Sequence, residues 1–144
     1  PVLRRSYNGF YRVRRGQQWQ SIYFNLMHQA QIHGYGFSQV LQALHQSTSR
    51  YEASFASKLI ATLDTSQPVI DSVVLSNLGC KLATVNTPHR MQAIEYLHSD
   101  LHQNVQSFLA STQGKTLVSA FKALYPAYAI SDEKMVDLVL WQMR

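Results

Sequence analysis

The sequence predicts an all-α fold: a single globular domain of six or seven helices that follows a short basic segment. After Gly16, apolar residues recur at spacings of three and four over most of the chain, which is the helical period. Glycine and proline mostly fall between these apolar stripes. Hydrophobic residues make up 46% of the 144 positions, which is typical of a chain with a buried core.

The first sixteen residues form a basic N-terminal segment that differs from residues 17–144, the predicted helical domain. Asn8-Gly9 is the preferred pair for a type I′ hairpin turn, and Tyr11 and Val13 alternate with arginines as in a half-exposed strand. A two-stranded hairpin and a flexible arm are both compatible with this pattern. The segment contains no acid and five arginines: Arg4, Arg5, Arg12, Arg14 and Arg15.

Three helices are predicted in the first half of the domain. The apolar stripe Trp19–Ala30 predicts the first helix, which ends near Gly34. Phe37–Leu44 predicts a short second helix followed by a polar loop. Ser49 and Glu52 have the spacing of a capping box, so a third helix is expected to begin there.

Four more helices are predicted in the second half. Pro68 suits the first turn of a fourth helix, and Gly79 suits its end. Thr87-Pro88 precedes a long fifth helix, and Pro126 ends the sixth. Ser131 is the expected N-cap of a last helix that is apolar almost all round and therefore expected to be central.

Composition excludes several classes of protein. No apolar run approaches the roughly 20 residues that span a bilayer, so no membrane partner is expected. No secretory signal pattern is visible at the start of the sequence. The single cysteine, Cys80, cannot form an internal disulfide, which fits a reducing cytoplasm. We expect no cofactor and no metal site.

Asp71 is the one carboxylate in the run QPVIDSVVLSNLG. An acid at a helix start can accept hydrogen bonds from backbone N–H groups and act only as a cap. An acid that faces a cleft can activate water or stabilise a developing positive charge. The residues alone leave both interpretations open.

The segment FASKLIATLDTSQPVIDSVVLSNLG resembles the second half of the core motif of the helix-hairpin-helix DNA glycosylase superfamily. The chain also resembles uncharacterised bacterial proteins that share the SKL, P-apolar-D-S and NLG steps and a terminal KxxDxxLW helix. The resemblance implies a DNA-glycosylase-like all-α fold, with Asp71 as catalytic acid and Lys58 as nucleophile. The glycine-rich hairpin of that superfamily is missing, since HQSTSRYEAS contains no glycine.

Two further groups of ionisable residues are candidates for chemistry or for structure. Glu95, His98 and His102 are spaced to share one helix face, either as metal ligands or as a solvated flank. Lys58 and Asp137 lie in apolar helices, where each needs a partner of opposite charge. Arg50 and Arg90 are candidate partners for the acids.

Three functions follow, in order of preference. The first is DNA binding without catalysis, with phosphates contacted by the five N-terminal arginines and Arg50, and bases stacked on Tyr7, Phe10 or Tyr11. The second is a helical interaction or accessory module, whose protein partner the sequence does not identify. The third is an active DNA glycosylase that uses Asp71.

Overall fold

Eight α-helices make up the regular structure of residues 2–143, the part of the chain that this computed structural model describes. No strand occurs in that range, so the all-α prediction is confirmed. None of these helices is both long enough and apolar enough to cross a membrane. The helices are α1 (Val2–Phe10), α2 (Gln17–His33), α3 (Phe37–Thr48), α4 (Ala53–Leu63), α5 (Ser72–Asn77), α6 (Arg90–Ala110), α7 (Thr112–Leu124) and α8 (Asp132–Gln142).

The N-terminal segment is helical, so the hairpin alternative is wrong. Helix α1 adds to the seven helices that follow Gly16. Asn8 and Gly9 lie in the last turn of α1 instead of forming a hairpin turn. The N–H of Val13 donates to the carbonyl of Asn8 at 2.9 Å, and that of Arg12 to Gly9 at 3.3 Å. With Arg12 at a φ of 53°, these bonds form a Schellman motif that ends the helix.

The chain divides into two compact units between Tyr51 and Glu52. The N-terminal unit contains α1, α2 and α3, and α2 packs against α3. Gly34 ends α2 in the left-handed conformation, as predicted. The buried apolar residues of this unit are Val13, Tyr23, Ala30, Phe37, Val40, Leu41 and Leu44.

The C-terminal unit contains α4 to α8. Helix α8 packs against α5, α6 and α7, which fits the central position predicted for the last helix. Ser131 is its N-cap, as predicted, and accepts a hydrogen bond from the N–H of Lys134 at 3.2 Å. The largest fully buried side chains of this unit are Leu59, Ile70, Ile94, Leu101, Met135 and Ser57.

Two of the predicted helix starts are wrong. Ser49 does not cap α4, because α3 continues to Thr48 and Ser49 is its left-handed C-cap at a φ of 57°. Glu52 is the N-cap of α4, but its side chain makes no capping hydrogen bond. Pro68 lies in the loop before α5, and that helix begins only after Asp71.

A tight corner joins α6 to α7. Ser111 ends α6 and also caps α7, where its Oγ accepts a hydrogen bond from the N–H of Gly114 at 3.1 Å. Gly114 is buried in the first turn of α7. A Cβ atom added there would lie 1.9 Å from the carbonyl oxygen of Phe108, so this corner requires glycine.

Candidate functional site

Charge is distributed very unequally between the two units. Residues 1–51 contain six arginines, no lysine and no acid, which gives a formal charge of +6. Residues 52–144 contain five lysines, two arginines and eight acids, which gives −1. The net positive charge of the chain therefore belongs to the N-terminal unit, and five of its six arginines lie in the first fifteen residues, where the sequence located the basic character.

Helix α1 is attached to α2 by buried polar and aromatic contacts. The hydroxyls of Tyr7 and Tyr23 share a hydrogen bond of 2.7 Å, and the Asn8 side-chain amide donates to Gln20 at 2.9 Å. The ring of Tyr7 also meets the ring of Phe24 edge-on, with centroids 5.5 Å apart. Burial raises the pKa of Tyr23 far above its ordinary value, so its phenol stays neutral. These contacts make α1 part of the folded unit and not a flexible arm.

Five of the six predicted nucleic-acid contacts lie on or directly after this helix, and Arg50 follows the end of α3. The guanidinium of Arg4 lies 5.0 Å from the centre of the Phe24 ring, and that of Arg15 lies 5.5 Å from the centre of the Trp19 ring. Cation–π contacts of this kind hold an arginine side chain in place over the ring. The side chains that lie exposed to solvent are Arg4, Arg5, Arg12, Arg14 and Arg50.

Asp71 is the N-cap of α5. Its carboxylate accepts a hydrogen bond of 2.9 Å from the N–H of Val73, and its backbone is extended, as an N-cap requires. The side chain is half-buried. This geometry agrees with the interpretation of Asp71 as a helix cap. The capping hydrogen bond already occupies one of the two carboxylate oxygens.

Ser57 holds the loop that carries Asp71, and sequence reasoning missed it. The Oγ of Ser57 accepts a hydrogen bond of 2.8 Å from the N–H of Ile70 and donates one of 2.8 Å to the carbonyl of Ser54. Ser57 is fully buried, and its bond with Ile70 is shielded from water. A serine within the apolar stripe of α4 was the available signal, but its partner thirteen residues away could not be deduced.

We expect Ser57→Ala to lower the free energy of unfolding by about 1.5 kcal/mol, because the buried N–H of Ile70 loses its acceptor. Urea unfolding followed by circular dichroism measures the change. Ser54→Ala is the matched control on the same helix, since only the backbone carbonyl of Ser54 takes part. Equal unfolding midpoints for the two variants would contradict the role assigned to Ser57.

Lys58 and Asp71, the two catalytic candidates, lie in one charged cluster with Asp137. Burial lowers the pKa of Lys58, and the negative charges of Asp71 and Asp137 oppose that shift. Asp137 also forms an ion pair of 2.7 Å with Lys134, both side chains being largely buried. Charges of opposite sign thus lie near one another here, an arrangement that is common in structural ion-pair networks.

The histidines of α6 do not form a metal site. No group of three or more His, Cys, Asp or Glu side chains in residues 2–143 could hold a metal ion. His98 is buried and hydrogen-bonds with the backbone of Pro68, in the loop before α5. Burial lowers the pKa of His98 from 6.5 to about 4, and the nearby His102 adds to the effect. His98 is therefore a neutral core side chain near pH 7.

A small cavity lies in the C-terminal unit next to this loop. Its volume is about 20 Å³, room for about one water molecule and far too little for a nucleobase. Asp137 and Lys134 line it, whereas Asp71 and Lys58 do not. The cavity therefore does not combine the predicted catalytic residues with space for a flipped base.

Comparison with known proteins leaves the relationship of this chain open. It matches no protein-family model, no curated protein and no solved structure. The likeness to DNA glycosylases therefore stays a prediction based on the motifs around Asp71. The geometry of the two units is the remaining evidence for a function.

Proposed function

We propose that this chain binds nucleic acid, with DNA as the first candidate, and that it does so without catalysis. The observation that carries the proposal is the acid-free N-terminal unit, in which residues 1–51 contain six arginines and no carboxylate side chain. Neutralisation of phosphates by arginine and lysine supplies most of the affinity in non-specific nucleic-acid binding.

Arginine is the suitable cation for this ligand. Its planar guanidinium can donate two parallel hydrogen bonds to a phosphate, which the ammonium of lysine cannot do. Arginine is the only residue type in this unit with a permanent positive charge, and most of the arginine side chains are exposed. Apart from Arg50, they lie on or directly after a helix fixed to α2 by the Tyr7–Tyr23 contact, so little order has to be gained on binding.

The test is a triple variant, Arg5→Gln, Arg12→Gln and Arg14→Gln, in a fluorescence anisotropy titration with labelled DNA at two salt concentrations. The matched control removes three exposed cations from the other unit, Lys81, Lys115 and Lys122, again by glutamine. We expect the arginine variant to bind more weakly at low salt. The slope of log affinity against log salt should fall by up to about 3, roughly one for each phosphate that is no longer neutralised.

Two results would contradict the proposal. Absence of salt-sensitive DNA binding by the wild-type chain would remove the nucleic-acid function. Equal losses in the arginine and lysine variants would show that the N-terminal unit has no special role, and that binding follows net charge alone. Circular dichroism of both variants establishes that they are folded.

A second candidate function is a helical interaction module, supported by an exposed aromatic cluster in the C-terminal unit. Tyr125 packs against Phe121 and Tyr128, with ring centroids 5.0 and 6.0 Å apart. Tyr128 is 66% exposed and Leu124 73% exposed. Contiguous exposed apolar side chains of this kind are typical of protein-binding surfaces. This candidate becomes the favoured one if DNA binding is absent.

The glycosylase-like fold and the base-excising activity form the third candidate. The partial burial of Lys58 near Asp71 supports it, because burial lowers the pKa of this lysine and a lysine with a lowered pKa is a better nucleophile near neutral pH. The capping bond of Asp71 and the small cavity argue against it. Release of a damaged base by the wild-type chain, abolished in Asp71→Asn, would support this candidate.

A further inference from the structure

Helix α1 presents large apolar side chains to solvent next to its arginines. Val2 is 75%, Leu3 86% and Phe10 62% exposed. Their neighbours Tyr7 and Tyr11 are half-buried. The exposed part of a phenyl ring contributes little to folding but is accessible to a ligand.

The ring of Phe10 is positioned by its neighbour. It meets the ring of Tyr11 nearly perpendicularly, at 81° and with centroids 4.8 Å apart. Arg12 and Arg14 follow within four residues, and both are exposed. An aromatic surface and phosphate-binding groups therefore lie together at the end of α1.

This combination discriminates between forms of nucleic acid. In a duplex the base faces are already stacked on each other, and only phosphates and groove edges are accessible to α1. Single strands offer free base faces, and stacking of a base on an aromatic side chain is worth about 1–3 kcal/mol. Helix α1 is about 13 Å long, so it can contact only a few successive nucleotides.

Resting on the proposed nucleic-acid function, we propose that the preferred ligand of the N-terminal unit is a single strand. One base stacks on Phe10 while Arg12 and Arg14 contact the flanking phosphates. The exposure of Phe10 beside these arginines favours single-stranded nucleic acid, a preference that the positive charge alone would not produce.

The experiment compares labelled oligothymidylate with a duplex of the same length, using the full chain at low salt. The test variant is Phe10→Leu, which keeps an apolar side chain and the helix but removes the ring. We expect its affinity for the single strand to fall about tenfold, with duplex affinity and salt slope unchanged. Leu3→Ala is the control on the same helix, since Leu3 is also exposed but offers no ring.

The outcomes separate this inference from the proposed function. If both oligonucleotides bind and Phe10→Leu changes neither affinity, the single-strand inference fails and nucleic-acid binding stands. If neither binds, the proposed function itself fails. Vesicles of phosphatidylserine and phosphatidylcholine serve as a third probe. Tighter binding to vesicles than to oligothymidylate, weakened equally by Leu3→Ala and Phe10→Leu, would overturn the inference in favour of an anionic membrane surface.

Discussion

Replacement of Gly114 by alanine is expected to destabilise the protein more than the same change at any of its other glycines. The new Cβ would lie 1.9 Å from the carbonyl oxygen of Phe108 and 2.8 Å from the Cα of Leu109, both of them backbone atoms. Backbone cannot move aside as a side chain does, so the corner between α6 and α7 has to open. We expect a loss of about 3 kcal/mol and a fall in Tm of roughly 10 °C.

Thermal unfolding followed by circular dichroism measures this effect. Gly9→Ala is the matched control, because no atom lies within 4 Å of the position that its Cβ would occupy. Gly9 lies within α1, where alanine has the higher helix propensity, so its Tm should stay constant or rise slightly. A fall in Tm of less than about 3 °C for Gly114→Ala would show that the corner tolerates a side chain.

The second large effect is a loss of stability in acid, caused by His98. In the folded state the pKa of His98 is about 4, and in the unfolded chain it returns to 6.5. Between these values the unfolded state binds more protons than the folded state, so stability rises with pH. The contribution is complete above pH 6.5 and is lost as the pH falls towards 4. We expect about 3 kcal/mol less stability at pH 4 than at pH 7 from this group.

Urea unfolding at pH 7, 6 and 5 measures this dependence above the range in which most carboxylates titrate. His98→Gln removes the titrating ring and should flatten the curve over that range. His28→Gln is the control, since His28 lies on α2 outside the buried core and should leave the pH dependence unchanged. If His98→Gln keeps the wild-type slope, the acid sensitivity arises elsewhere.

The helix ends that were predicted correctly are those determined by local chemistry. Gly34 ends α2 because glycine adopts the left-handed conformation at little cost, and Ser131 begins α8 because its hydroxyl accepts from a backbone N–H three residues later. Both effects act within a few residues. Such short-range rules can be read from a sequence.

The wrong predictions concern segments whose conformation depends on distant partners. Asn8-Gly9 favours a hairpin by itself, but the contact of Tyr7 with Tyr23, sixteen residues away, holds the segment as a helix. Pro68 suits a helix start, but the bond between Ser57 and the N–H of Ile70 keeps the chain extended there. Local preferences are weaker than these buried contacts.

The candidate site was only partly predictable for the same reason. The basic character of the first fifteen residues was visible, and so was Asp71 as a helix cap. That the acid-free unit extends as far as Tyr51 depends on how the folded chain divides into two compact units. The exposure of Phe10 depends on how α1 packs against α2. Neither leaves a periodic pattern in the sequence.

The absence of both lysine and acid from residues 1–51 has a consequence for regulation. A guanidinium stays protonated throughout the physiological pH range and is not a substrate for the acetylation that neutralises lysine. With no carboxylate side chain present, acid cannot raise the charge by that route either. The six arginine charges of this unit are therefore constant. An added negative group, such as a phosphate on one of its hydroxyls, is the modification that can offset them.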